Sequence, residues 1–153
     1  MSDREGNAMV RGTSCWLLLD VEKMRPWRIE SLPHSFPLND KERALQESLE
    51  RIPVPAVLEK VYERRVMVSD LDVNNHVNNT EYARWIADCV EAGDGAASSP
   101  RSLQVNYLEE ARLGETLVFS IGRDDGPRGG FFVEGVNRAN QAKVVQARIK
   151  PKV

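Results

Sequence analysis

One helical repeat followed by four alternating stretches constrains this chain more than any other feature. Tyr82, Trp85, Ile86 and Cys89 recur at helical offsets, so residues 80–91 read as one helix with a single apolar face. Downstream, residues 103–109, 116–122, 130–137 and 142–149 alternate apolar and polar positions with the period of a strand. Val105 and Tyr107, then Leu117, Phe119 and Ile121, carry that alternation most clearly. Turn residues between Asp124 and Gly130, and again between Asn137 and Asn140, separate the last three stretches. Residues 61–68 add a strand ahead of the helix. A lone apolar helix face needs a sheet to bury it. The predicted class is therefore α+β, with one long helix wrapped by a curled antiparallel sheet whose four last strands run as a meander.

The front of the chain reads differently. Residues 9–20, centred on Trp16-Leu17-Leu18-Leu19, look like a strand with a buried middle, and residues 21–29 turn the chain over. Pro33 and Pro37 flank His34 in a linker, where the imidazole has no partner in sequence. A helix is expected from Asn39 through Leu45, Leu49 and Ile52, stopped by Pro53 and Pro55.

Length and charge exclude several classes. A chain of 153 residues supports one ordinary core. Its formal net charge of −2 offers no basic stripe for nucleic acid. No apolar run approaches the length of a membrane span, and the first residues lack the apolar core of a secretory signal. Cys15 and Cys89 stand far apart with no CxxC pair, which argues against a disulfide or a metal site and for two small core side chains.

The chemistry concentrates in Ser69-Asp70-Leu71-Asp72-Val73-Asn74-Asn75-His76-Val77-Asn78-Asn79. In an extended backbone Asp70, Asp72, Asn74 and His76 would share one face. That would put an acid, an amide and an imidazole at the mouth of the helix, whose free N–H groups favour developing negative charge. Such a set suits attack on a carbonyl. The plainer reading is a run of turn and capping residues, which Asn78, Asn79 and Thr80 supply in either case. Asp70 reads as a capping or surface group.

These residues carry a family resemblance. The run Leu71 to Asn79, Leu-Asp-Val-Asn-Asn-His-Val-Asn-Asn, resembles the motif of the second hot-dog domain in acyl-acyl carrier protein (acyl-ACP) thioesterases. Val105-Asn106-Tyr107-Leu108-Glu109-Glu110-Ala111 is similar to the strand on which that family places a glutamate soon after a tyrosine. Thr13 to Asp20 and Arg25 to Ile29 resemble the last strand of the family's first hot-dog domain and the segment leaving it. The resemblance implies three regions. Residues 1–38 correspond to the terminal strand of a first hot-dog domain plus a Pro-rich linker, residues 39–56 to a connecting helix and linker, and residues 57–153 to a hot-dog thioesterase domain. Most of the first hot-dog domain of the tandem has no counterpart here.

By that resemblance the activity is hydrolysis of a fatty acyl thioester on acyl carrier protein, in fatty acid biosynthesis, with no cofactor and no metal. Glu110 is the general base, a role it receives only from the family; alone, Glu109 and Glu110 read as a solvated pair. Asn74 and His76 orient water or the thioester, and Asp72 holds the network or shares the base role. Ala111 stands where many relatives carry a cysteine, so activated water is the consistent nucleophile. The expected partner is acyl carrier protein bearing an acyl-phosphopantetheine, met by Arg64, Arg65, Arg84, Arg101 and Arg112. A homodimer is a further expectation, because a single hot-dog domain exposes a sheet edge. Two alternatives stay open. One is an impaired acyl-binding module; the other is a single-hot-dog acyl-CoA thioesterase acting as a homo-oligomer. The expected location is bacterial cytoplasm, ahead of plastid stroma.

Overall fold

A computed structural model describes residues 1–20, 22–23, 25–33, 44–46, 50–95, 100–124 and 129–151. The chain divides into two compact units, Met1–Arg51 and Ile52–Val153.

In the first unit a short hairpin pairs β1 (Leu19–Asp20) with β2 (Arg25–Pro26), Leu19 opposite Pro26. Asp20 makes the turn, its Oδ1 accepting from the Glu22 and Lys23 backbone N–H groups at 3.0 and 2.9 Å. The strand expected over residues 9–20 is confined to those last two residues. Trp16, Leu17, Leu18 and Cys15 are exposed, which corrects both the buried strand centre and the reading of Cys15 as a core side chain. An apolar run alone does not make a strand without a neighbour to bond its backbone. Of the helix expected after Asn39, residues 39–43 and 47–49 lie outside the described residues, as does His34, while residues 44–46 and 50–56 are not helical.

The second unit holds the main core. Its strands are β3 (Glu59–Arg65), β4 (Pro100–Tyr107), β5 (Thr116–Arg123), β6 (Phe131–Asn137) and β7 (Lys143–Pro151). They form one antiparallel sheet in the order β3-β5-β6-β7-β4. Between β3 and β4 runs the helix α1 (Asn79–Asp94). Tyr82, Trp85, Ile86, Cys89 and Val90 are buried on its inner face, against β3, β5, β6 and β7. Each such side chain contributes about 1.5–3 kcal/mol when fully buried. The helix ends at Gly95, whose φ of +66° allows its N–H to reach the Glu91 carbonyl at 2.9 Å. Gly93 and Asp94 therefore belong to the helix, where a connector was expected.

Only β5, β6 and β7 form a meander. The expected fourth member, β4, lies at the opposite edge, with Leu103 opposite Ile149 and Val105 opposite Ala147. The reason is the crossover: α1 carries the chain across the sheet before β4 begins, and local alternation holds no information about that partner. Leu103 and Tyr107 on β4 are 37% and 47% exposed, Tyr107 touching only the first turn of α1 through Asn79 and Tyr82. On the far face of the sheet, a Cβ at Gly122 would stand 2.6 Å from the Val57 carbonyl oxygen. The segment before β3 therefore lies close along that face, where only glycine fits.

Candidate active site

Three segments meet at the amino end of α1. The first starts at the 3₁₀ turn Val68–Asp70. Asp70 is 2% exposed, with Oδ1 taking a hydrogen bond from the Arg64 guanidinium at 2.9 Å and Oδ2 one from the Met67 N–H at 2.7 Å. This carboxylate holds Arg64 above the usual arginine range. Asp70 thus caps, as expected, but it is buried where a surface position was an alternative. Arg64 is engaged in this ion pair and lies over the Trp85 ring at 5.6 Å, so it leaves the set of free surface cations.

From Asp70 the chain does not run extended. Leu71 and Val77 pair as an isolated antiparallel bridge, pinching residues 72–76 into a loop. Asp72 organises it. Its Oδ1 accepts from the Asn74 N–H at 2.8 Å and the His76 N–H at 3.4 Å, while its own N–H donates to the His76 carbonyl at 2.9 Å. Asn75 takes the left-handed conformation, φ +61°, that Asn tolerates. The expected common face of Asp70, Asp72, Asn74 and His76 is thereby corrected: Asp70 turns into the core and the others wrap a turn. Asn74 is exposed, and its side chain forms no hydrogen bond to His76 or Glu110.

The second segment follows β4. The Ala111 carbonyl accepts from the Val77 N–H at 3.0 Å, tying the two loops together, and Ala111 itself is fully buried. The adjacent Glu110 is consequently brought to His76, with Nε2 to Oε2 at 3.1 Å. Arg112 stands at 4.0 Å from the same carboxylate oxygen. The pair is open to substrate, with 32% of the His76 side chain and 60% of that of Glu110 exposed.

The third segment is the helix start. Asn78 caps it, its Oδ1 accepting from the Thr80 N–H at 2.9 Å, and the Asn78 N–H is itself bonded to the Asp70 carbonyl at 2.9 Å. Those bonds leave the Asn79 N–H as the helix-start donor without a partner among the described residues. Tyr107, expected as a strand position and as part of the glutamate motif, donates its hydroxyl to the Asn79 carbonyl at 3.1 Å and packs edge-on to Tyr82. Burial pushes Tyr82 up to about 12, so it stays a neutral phenol. Of the other arginines expected to meet a carrier, Arg84 is paired with Glu81. No group of three metal-ligating side chains exists among the described residues.

A cleft of about 370 Å³ lies elsewhere, at the carboxyl end of α1, between Val57, Gly93, Ile121, Arg123 and Phe131. No helix among the described residues is long and apolar enough to cross a membrane.

Solved structures share this architecture. A hypothetical protein of Staphylococcus aureus in complex with CoA superposes with a TM-score of 0.52 at 15% identity, covering 61% of this chain and 85% of that one. Mouse thioesterase superfamily member 2 gives 0.52 at 12%, covering 60% and 78%. A Streptococcus mutans protein bound to acetyl-CoA gives 0.50 at 15%, covering 69% and 98%. The fold is the hot-dog fold, one long helix on a curled antiparallel sheet. No curated protein matches. The family model for the acyl-ACP thioesterase C-terminal domain matches residues 56–150, more than half of the chain. Thioester hydrolysis is the general chemistry these matches support. The chain belongs to the acyl-ACP thioesterase C-terminal domain family.

Proposed function

We propose that the chain hydrolyses fatty acyl thioesters carried on acyl carrier protein, with Glu110 as general base. The observation that carries this reading is the 3.1 Å contact between His76 Nε2 and Glu110 Oε2 beside the amino end of α1. With Nε2 protonated, the imidazole donates to Glu110 and fixes its orientation. The free carboxylate oxygen then takes a proton from water as that water attacks the thioester carbon. Charge that builds on the carbonyl oxygen is met by the Asn79 N–H and the positive end of the helix. When the C–S bond breaks, the proton on Glu110 passes to the departing thiolate, leaving a fatty acid and a free thiol. Asp72 keeps His76 in place through the loop it organises, and Asn74, exposed at the same rim, orients the incoming thioester.

Assembly fits the same reading. β4 is an edge strand of the sheet, and Leu103 and Tyr107 on its helix-side face are 37% and 47% exposed. The space beneath α1 is occupied by the buried Trp85, Ile86, Phe119 and Val145, which favours a path for the acyl chain outside it. The chain of the substrate therefore lies over the β4 edge, and a second copy or a partner domain covers it. Turnover of decanoyl-ACP and decanoyl-CoA, measured side by side with the mass in solution, tests this. Faster turnover of the ACP ester by an assembled protein is expected. Equal rates on both would reject carrier selectivity, and no turnover of either would reject the hydrolase.

A further inference from the structure

We propose that the ion pair between half-buried Arg64 and buried Asp70 positions the catalytic loop, holding His76 within reach of Glu110; this rests on the hydrolase reading above. Asp70 is bound at every available point. Its carboxylate takes the Arg64 guanidinium at 2.9 Å and the Met67 N–H at 2.7 Å, and its carbonyl takes the Asn78 N–H at 2.9 Å. The last bond closes the base of the loop, because Asp70 precedes Leu71 and Asn78 follows Val77. Everything that carries Asp72, Asn74 and His76 hangs between those two residues.

The anchor is costly in isolation. Arg64 Nε is buried with no hydrogen-bond partner among the described residues, and the Asp70 carboxylate gives up water to make the pair. What the pair supplies is a fixed point, joining β3 to the loop and pressing Arg64 onto Trp85 of α1. His76 is thereby referenced to the core. Arg64 and Asp70 touch no substrate; they act through His76.

The test uses the double variant Arg64→Met/Asp70→Asn, which removes both charges yet keeps a side-chain oxygen to accept from the Met67 N–H, so the chain is expected to fold. The chain has two histidines, so the His76 ring signals are resolvable by NMR. In the parent chain Glu110→Gln should shift the His76 ring resonances. In the double variant the same substitution should shift them by less than a third as much. The kcat for decanoyl-ACP should fall at least tenfold with KM within twofold, and Arg64→Lys with Asp70 intact should recover most of it. Arg138→Ala, breaking the Arg138–Glu63 pair at 3.2 Å on the same strand, should change neither readout. A full-sized shift in the double variant, or a parental kcat, overturns the proposal. If the parent chain shows no turnover, the hydrolase reading falls and the ring shifts alone decide the anchor.

Discussion

The two ends of α1 are opposite in character. At the amino end the surface is polar, with Asn78 capping, the Asn79 N–H without a partner among the described residues, and His76 and Glu110 in contact. At the carboxyl end lies the open cleft of about 370 Å³, where Arg123 stacks on Phe131 and pairs with Asp94 at 2.5 Å. A helix of this length separates them by roughly 24 Å. That cleft and the His76–Glu110 pair therefore lie at opposite ends of the helix. Helix polarity explains the difference: N–H groups at one end stabilise an oxyanion, while carbonyls at the other repel it and favour a cation such as Arg123.

Substitutions at the two ends should differ accordingly. The largest effect belongs to His76→Ala, which should lower kcat by about a hundredfold or more while melting changes little, the imidazole being partly exposed. Next comes alkaline stability along the helix between the ends. Burial raises Cys89 from 9.0 to about 12 and Tyr82 from 10.0 to about 12. The folded chain holds these protons more tightly than the unfolded one, so stability is full below pH 9 and falls as pH rises toward 12. Urea titrations across that window should show a loss of order a few kcal/mol, and Cys89→Ala should reduce it, leaving the part due to Tyr82. Smaller again is the capping pair. Asn78→Ala and Gly95→Ala should each cost about 1 kcal/mol, but only the first should also reduce kcat. Equal kinetic damage from both would break the comparison. Smallest is Arg123→Ala, which removes an exposed ion pair worth at most about 1 kcal/mol and should leave turnover unchanged.

Legibility followed the range of the interaction. The helix was readable because Tyr82, Trp85, Ile86 and Cys89 encode their burial locally, and β5 to β7 because their partners are neighbours in sequence. The position of β4 was not, since its partner β7 lies beyond two intervening strands. Residues 9–18 misled because hydrophobicity reports what could be buried, not what is. The loop misled because Asp72 bonds its own backbone in place of a strand ladder, and Asn75 reverses the chain. Arg64 was read as surface charge, although it lies on the helix-facing side of β3 opposite Leu117. That register, with Ser-Asp ahead of the motif, was the available signal for the anchor. The proximity of Glu110 to His76 came from resemblance alone, as no spacing rule joins residues so far apart.

The central claim is that Glu110, aligned by His76 at the amino end of α1, removes the proton from attacking water. Single-turnover hydrolysis of decanoyl-ACP by Glu110→Gln, which preserves shape and removes the base, tests it most directly. A fall of at least a hundredfold in the chemical step with unchanged substrate binding is the predicted result. A chemical step within threefold of the parent chain would contradict it.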